Sequence, residues 1–281
     1  MITPRTCIPD ITAIAAHYDD LDDLYRDIWG TDVHHGYWIT EKESVTQAVA
    51  NLTRLVAEKA AIRSGDRVCD IGCGYGGSAR TFHHDYGADV TGLTISRKQY
   101  NHASAAANDN DRLTFVLGDA LQNSLPEESF DAVIAIESTE HIALKLQLIS
   151  EARSLLRCGG HFVIAAWLAS GHFSAWQRKY LLEPICAESL LPGLASAEEY
   201  RAMLAQCDFH DLEFTDLTDR VKKTWTICAL RLIRRWLGDS ALRRRLGNPQ
   251  FTNRVFAKTI FRIRLAYEMG AMRYGIFSAV K

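Results

Sequence analysis

The stretch IESTEH, residues 136–141, brings two carboxylates and an imidazole together in one short segment. Groups of that kind move protons. His141 has an unperturbed pKa near neutrality, and Glu137 or Glu140 can orient it or take the proton directly. A structural alternative, in which Ser138 or Glu140 caps the following helix, accounts for only part of the group.

Upstream, VCDIGCGYGGSAR (residues 68–80) runs an apolar segment into a glycine cluster, and Gly72, Gly74 and Gly77 satisfy G-x-G-x-x-G. That spacing is often read as a dinucleotide fingerprint, but glycines also fill tight turns for steric reasons. Backbone N–H groups at the start of a helix attract a pyrophosphate and an amino acid carboxylate alike. Asp70, just ahead of the glycines, is awkward beside a pyrophosphate. It suits a ligand carrying an ammonium group, as the methionine half of S-adenosylmethionine does.

The next strand ends in GLTISRKQ, with Thr94 and then Gln99 where a nicotinamide enzyme usually carries an acid for the ribose hydroxyls. The missing acid counts against an NAD-dependent oxidoreductase, while neutral hydrogen bonds to a ribose stay available. GDA at 118–120 places Asp119 to accept from an adenine amino group and the Ala120 N–H to meet a ring nitrogen. An ordinary turn aspartate is the alternative there.

The elements that must position these groups follow from periodicity. TEKESVTQAVANLTRLVAEKAAI has Val45, Val49, Leu52, Val56 and Ala60 on one helical face, with Thr40 and Glu43 as a capping box at its start. From Arg67 onward continuous apolar strands alternate with amphipathic helices, which indicates a mostly parallel sheet covered on both faces. This predicts a doubly wound, Rossmann-like α/β fold with ligands at the carboxyl ends of the strands. Beyond Ser170 the regularity loosens. A long aromatic connection (171–196) precedes a helix capped by Ser196 and Glu199, a strand FHDLEFTDL, a basic apolar helical region from about Thr224 to Arg273, and a last strand YGIFSAVK. The last two strands read as an antiparallel edge pair around a helical insertion, and connections of that length are usually lids or binding loops.

Composition is that of an ordinary globular protein, without an apolar run near the ~18 residues of a membrane span or a secretory signal pattern. Cytoplasmic residence is the expectation. The seven cysteines, Cys7 first, include no C-x-x-C pair, so buried free thiols fit better than disulfides or a metal centre. Cations crowd between Arg220 and Arg264, with Arg234, Arg235, Arg243, Arg244, Arg245 and Arg254 among them, as a solvated helix face or a site for an anionic substrate or membrane surface. No recognised nucleic-acid module accompanies them.

Taken together, YDDLDDLYRDIWGTDVHHGYW (18–38), the glycine loop, GLTISRKQ, GDALQNSLPEESFDAVIAIESTEH and the ending RYGIFSAVK resemble the S-adenosylmethionine-dependent methyltransferases of the gamma-tocopherol methyltransferase type. Plant alkaloid N-methyltransferases and bacterial C-methyltransferases of indole or prenylated natural products belong to the same wider group, and sterol and cyclopropane-fatty-acid methyltransferases are more distantly similar. The likeness spans nearly the whole chain and is loose between about 171 and 265.

That resemblance implies a seven-stranded class I fold with an antiparallel final strand. Residues 1–40 would form an N-terminal cover, 41–170 the cofactor-binding core, and 171–281 the acceptor-binding insertions with the last two strands. It implies S-adenosylmethionine as cofactor, S-adenosylhomocysteine as product, and a contact set of Asp70, Gly72, Cys73, Gly74, Gly76 and Gly77 at the methionine end. Thr94, Ile95 and Gln99 would meet the ribose, and Gly118, Asp119 and Ala120 the adenine. Ile136 and Glu137 would lie alongside, while Tyr18, Trp29, His35 and Tyr37 close over.

The reaction is an in-line displacement at carbon with a neutral thioether leaving, so geometry and exclusion of water matter most. A base is needed when the acceptor is carbon, and His141, Glu137, Glu140 and His35 are the candidates, with His34 an alternate. Tyr37, Trp167, Phe173, Trp176, Tyr180 and Trp225 would line a lipophilic acceptor pocket. The expected activity is C-methylation of a prenylated, indole or terpenoid molecule in specialised metabolism. An alkaloid-like amine is an alternative acceptor, as is a prenyl diphosphate gripped by Arg243, Arg244 and Arg245. No nucleic-acid partner, no metal and a possible homodimer complete the expectations.

Overall fold

The computed structural model describes residues 1–3, 9–30, 32–40, 42–108, 110–248, 250 and 255–281. Cys7 and Arg254 lie outside the described residues. Seven strands, β1 (Arg67–Ile71), β2 (Asp89–Thr94), β3 (Leu113–Leu117), β4 (Phe130–Ile136), β5 (Leu156–Ala169), β6 (His210–Asp216) and β7 (Met272–Val280), form one sheet in the order β3-β2-β1-β4-β5-β7-β6. The first five pair in parallel, and β7 runs antiparallel to both β5 and β6. The expected antiparallel edge pair around a helical insertion is present: β6 is outermost, and β7 is buried between β5 and β6. Its sequence agrees, since from Tyr274 to Ala279 every residue of β7 is buried, as a strand covered on both faces requires.

Helices α1 (Ile11–Asp20) and α2 (Asp22–Ile28) lead to α3 (Val45–Lys59), and α4 (Gly77–Tyr86), α5 (Arg97–Ala107) and α6 (Lys145–Leu155) cross between the parallel strands. α3 does not start at the Thr40–Glu43 pair. Ser44 accepts from the Gln47 N–H while the Gln47 side chain accepts from the Ser44 N–H, and helix begins at Val45. Thr40 and Glu43 do hydrogen-bond, in the loop ahead of the helix, where they close a turn. The Ser196–Glu199 capping box is present and starts the helix Ala197–Gln206.

Two features fix the site. The carboxyl ends of β1, β2 and β3 are tied together by Gly72 N–H and Cys73 N–H donating to Leu93 O (2.8 and 2.9 Å), and by Gly118 N–H donating to Thr94 O (3.0 Å). The cover then docks on this edge through Asp19, whose Oδ1 accepts from Ser96 Oγ (2.5 Å), and through Asp22, whose Oδ1 accepts from the Tyr75 hydroxyl (2.8 Å). Between β6 and β7 the insertion contributes the helices Lys223–Gly238, Ser240–Gly247 and Phe256–Glu268. On the first, Trp225, Cys228, Ala229 and Leu232 recur at helical spacing and form the buried face against the cover.

Candidate active site

A cavity of about 250 Å³ opens where the strands end. Its floor is Ile71, Gly72 and Gly74 of the glycine loop, its sides are Leu93, Thr94, Ile95 and Gln99 after β2 and Gly118 to Leu121 after β3, and its roof comes from α1 through Ile11, Ile14 and Tyr18. The Thr94 hydroxyl donates to the Gln99 carbonyl oxygen (2.9 Å), which leaves the Gln99 amide hydrogens for a ligand. Asp119 is a turn residue as well as a wall residue: Oδ1 accepts from the Leu121 N–H (2.9 Å), leaving its second oxygen.

The glycine loop shows why side chains are refused there. Gly72 has φ +76°, and a Cβ would lie 2.3 Å from Ser138 Cβ, while the Ser138 hydroxyl donates to Ile71 O (2.6 Å) and clamps the two loops together. Gly74 has φ +55° with open space where a Cβ would go. Gly72→Ala is therefore expected to combine left-handed strain with overpacking, a loss of about 2–4 kcal/mol. Gly74→Ala should cost only about 1 kcal/mol of strain while its methyl enters the cavity. Chemical unfolding and ligand titration of the two variants check this; equal stabilities would contradict it.

Asp70 is buried beneath this loop at the end of β1, and its Oδ2 has no hydrogen-bond partner among the described residues. Burial, with the negative charge of Asp32 nearby, lifts its pKa to about 7.

A second, smaller chamber of about 40 Å³ adjoins the first, and Tyr18, Val33, Glu137 and His141 belong to the walls of both. Tyr25, Trp29, Trp167 and Trp225 face it, with Glu140, Ser189 and Leu191. The indoles interlock: Trp167 and Trp225 meet edge to face at 5.2 Å, and Trp29 and Trp225 at 6.0 Å.

Glu137 is the centre of a hydrogen-bond knot. Oε1 accepts from the His35 N–H (2.7 Å), His35 Nδ1–H (2.9 Å) and the Tyr274 hydroxyl (2.8 Å), and Oε2 accepts from Trp167 Nε1–H (2.7 Å). Its backbone is held at φ +51°, a strained conformation for a side-chain-bearing residue. Burial opposes its ionisation, yet the interactions with His35 outweigh it and bring its pKa to about 2. Trp225 Nε1–H can only donate, so His35 Nε2 accepts it (2.7 Å), and Nδ1–H points toward Glu137. With both nitrogens occupied, His35 is a fixed support behind Glu137 and Trp225 and lines neither cavity. His34 is likewise pinned, its Nδ1–H donating to His35 O (2.9 Å).

His141 differs. Its Nδ1–H faces the Leu190 carbonyl (3.4 Å), so Nε2 carries the lone pair and accepts from the Tyr18 hydroxyl at 2.7 Å. Burial, and then the neighbouring His17, lower its pKa to about 3. Glu140 accepts from the Trp167 backbone N–H and has its pKa pushed up by burial, while burial pushes that of nearby Lys145 down. Neither Ser138 nor Glu140 caps α6, whose N-cap is Leu144.

Several predicted acceptor residues lie elsewhere. Trp167 and Trp225 face the small chamber, but Trp176 and Tyr180 are about half exposed on the surface, their rings tilted against each other at 5.6 Å. Tyr37 and Phe173 pack on the core outside both cavities. Arg243 donates to Trp236 O and Leu237 O and Arg245 to Asp20 O, which uses two of the three arginines expected to grip a diphosphate as helix and loop ties. Asp70 lies beneath the loop, and Cys73, Gly76 and Gly77 shape it, without lining the larger cavity. Tyr25, Ser189 and Leu191 are wall residues not singled out from the sequence. For Tyr25 a signal existed, because Tyr18, Tyr25 and Trp29 recur at i, i+7 and i+11.

Comparison with known proteins places this geometry. A family model for mycolic acid cyclopropane synthetase matches residues 6–245. The 27-O-demethylrifamycin SV methyltransferase of Amycolatopsis mediterranei (strain S699) is 31% identical over 231 residues, 79% of this chain and 83% of that protein. The chloroplastic tocopherol O-methyltransferase of Arabidopsis thaliana is 27% identical over 95% of this chain and 81% of its own length. Among solved structures, a mycolic acid cyclopropane synthase complexed with SAH and CTAB superposes with a TM-score of 0.86 at 21% identity, covering 98% of this chain and 99% of that one.

Proposed function

This chain belongs to the mycolic acid cyclopropane synthetase family and is an S-adenosylmethionine-dependent methyltransferase; from that premise we propose that it methylates a lipophilic small molecule, with carbon as the acceptor atom. The observation that carries the proposal is the aromatic chamber separated from the larger cavity only by Tyr18, Val33, Glu137 and His141. Bound in the larger cavity, S-adenosylmethionine supplies a methyl carbon on a positive sulfur, and that sulfur leaves as a neutral thioether.

The residues present suit it. The unpartnered Asp70 oxygen supports a role in receiving the ammonium group, and the open face at Gly74 leaves room for the methionine chain. Thr94 and Gln99 would hold the ribose, and Asp119 with Ala120 the adenine. The small chamber, at about 40 Å³, must widen to admit the acceptor; there, attack by an alkene or electron-rich ring would use a π pair to make the new carbon–carbon bond and leave a cation. The faces of Tyr25, Trp29, Trp167 and Trp225, with ionised Glu137 behind them, suit that charge. His141 Nε2 then takes the proton that restores neutrality, with the Tyr18 hydroxyl swinging aside or relaying it.

O-Methylation is the second reading, favoured by the names of the two relatives and by the same His141 lone pair, which would take a hydroxyl proton. Transfer of a carbon-13 methyl to prenylated aromatics, indoles and terpenoids, followed by NMR of the product, separates the two. A labelled methyl on carbon supports the proposal, and one on oxygen replaces it.

Asp70 also gives the cofactor step a pH signature. Its carboxyl keeps its proton below about 7 in the free protein, so binding an ammonium group must release that proton. Affinity for S-adenosylmethionine should rise with pH through neutrality and level off above it. Asp70→Asn should flatten the profile and weaken binding about 10- to 100-fold, the equivalent of a hydrogen bond to a charged group of about 1.5–3 kcal/mol. Calorimetric titration across that range would contradict the assignment if the unmodified protein showed no slope.

A further inference from the structure

The insertion that closes the small chamber turns a second, unpartnered face outward. On the helix Lys223–Gly238, Leu230, Ile233 and Leu237 recur at i, i+3 and i+7 and are 52%, 41% and 64% exposed, opposite the buried Trp225 face. On the helix Phe256–Glu268, Phe261 and Leu265, with Met269 just beyond, recur every four residues and are similarly exposed. These two stripes are one surface. The helices pack together, and Arg264 Nε–H bridges them by donating to Thr226 Oγ1 (3.2 Å).

The Gln177 side chain donates to Met269 O (2.9 Å) and brings exposed Trp176 and Tyr180 to the same surface. Soluble proteins rarely leave an apolar surface of this continuity to water. Cations border it: Arg234 follows the first stripe, Lys258 lies beside the second, and Lys179 sits over the Tyr180 ring at 4.9 Å. Neither Arg234 nor Lys258 makes a salt bridge to a described residue; Arg234 also borders the cleft toward Asp27 and Asp32 of the cover, and Asp239 and Glu268 are the acids nearest the two stripes in sequence.

We propose that this face docks the enzyme on the surface of an anionic lipid bilayer, from which the acceptor enters. The proposal rests on the lipophilic acceptor read above. An apolar stripe, interfacial Trp and Tyr rings and bordering cations are the composition of a helix that lies in a headgroup layer. Charge selects this occupant over a second copy, because a two-fold pairing of the face would set its own cations against each other. No described helix is long and apolar enough to cross a membrane, so the attachment is peripheral. The same helices carry Trp225 and Tyr267, which contact His35 behind the chamber, so a shift of the docked helices would open the chamber toward the bilayer.

Co-sedimentation of the full chain with vesicles of phosphatidylcholine, alone and mixed with phosphatidylglycerol, tests this. Binding is expected to the mixed vesicles, weakening with salt, and to fall at least about tenfold in Leu237→Asp/Ile233→Asp and severalfold in Arg234→Gln/Lys258→Gln. These positions are exposed, so S-adenosylmethionine affinity should be unchanged and serves as the folding control. Absence of binding to mixed vesicles overturns the proposal. So does a dimer in sedimentation equilibrium that Leu237→Asp converts to a monomer without any effect on vesicle binding. Vesicle binding without methyl transfer to any lipophilic acceptor would instead sink the functional reading and leave the docking face standing.

Discussion

Glu137→Ala is expected to lower the free energy of unfolding by about 3–5 kcal/mol, the usual consequence of removing one partner from a buried charged network, and to abolish turnover. Four donors converge on this carboxylate from His35, Tyr274 and Trp167, which come from the cover, from β7 and from β5. Alanine strands all four in a dry wall, and each unsatisfied buried donor costs about 1–3 kcal/mol before relaxation. Glu137→Gln should fall between, because its amide group turns two new donors toward donors already there.

The pH dependence has a definite sign. The folded pKa lies below the ordinary carboxylate value, at about 2, so the stabilisation is complete above the unfolded value of about 4.5 and is lost as pH falls toward 2. Urea unfolding of both variants alongside the unmodified protein checks the prediction. An alanine variant of unchanged stability would mean that the knot is not what joins cover, sheet and insertion.

His141→Ala should slow methyl transfer by about 10²- to 10⁴-fold, the range for loss of a general base, while S-adenosylmethionine affinity changes little. Tyr18→Phe should have a smaller effect, since it removes the hydroxyl that aligns Nε2 but leaves the lone pair. Burial holds His141 at about 3, far below an ordinary imidazole, so the neutral base persists as pH falls through 6.5 and turnover should show no inflection there from His141. A steady-state profile with an imidazole inflection near neutrality, absent in His141→Ala, would show that the ring is more hydrated in the working enzyme. Unchanged turnover in His141→Ala would move the proton step to Glu140.

The same residues mark how far sequence reaches. Gly72, Thr94, Asp119 and Glu137 were legible as ligand-facing because each follows an apolar strand, and a parallel sheet brings such ends to one edge. The sheet was legible from the alternation of strands and helices, and so was the antiparallel pairing of its last two strands; that β7 and not β6 lies inside was not, because strands far apart in the chain leave no local period. The role of His35 was hidden for a similar reason. Its partners Glu137 and Trp225 are remote in the chain, so nothing beside it showed that both ring nitrogens are occupied. Trp176 and Tyr180 read as pocket residues because they stand on a long irregular connection beside the strand ends, which does not say on which side of a lid a ring lies. The arginines between 231 and 245 divide by helical phase into ties to the cover and outward cations, a distinction available only once the buried face is known.

The most direct test of the account is transfer of an isotopically labelled methyl from S-adenosylmethionine to a lipophilic acceptor, measured by mass spectrometry for the unmodified protein and for His141→Ala. The account predicts a labelled product whose formation is slowed at least about 100-fold in the variant, with cofactor binding retained in both. Labelling of acceptors at equal rates by the two proteins, or tight cofactor binding with no labelled product from any lipophilic class, would contradict it.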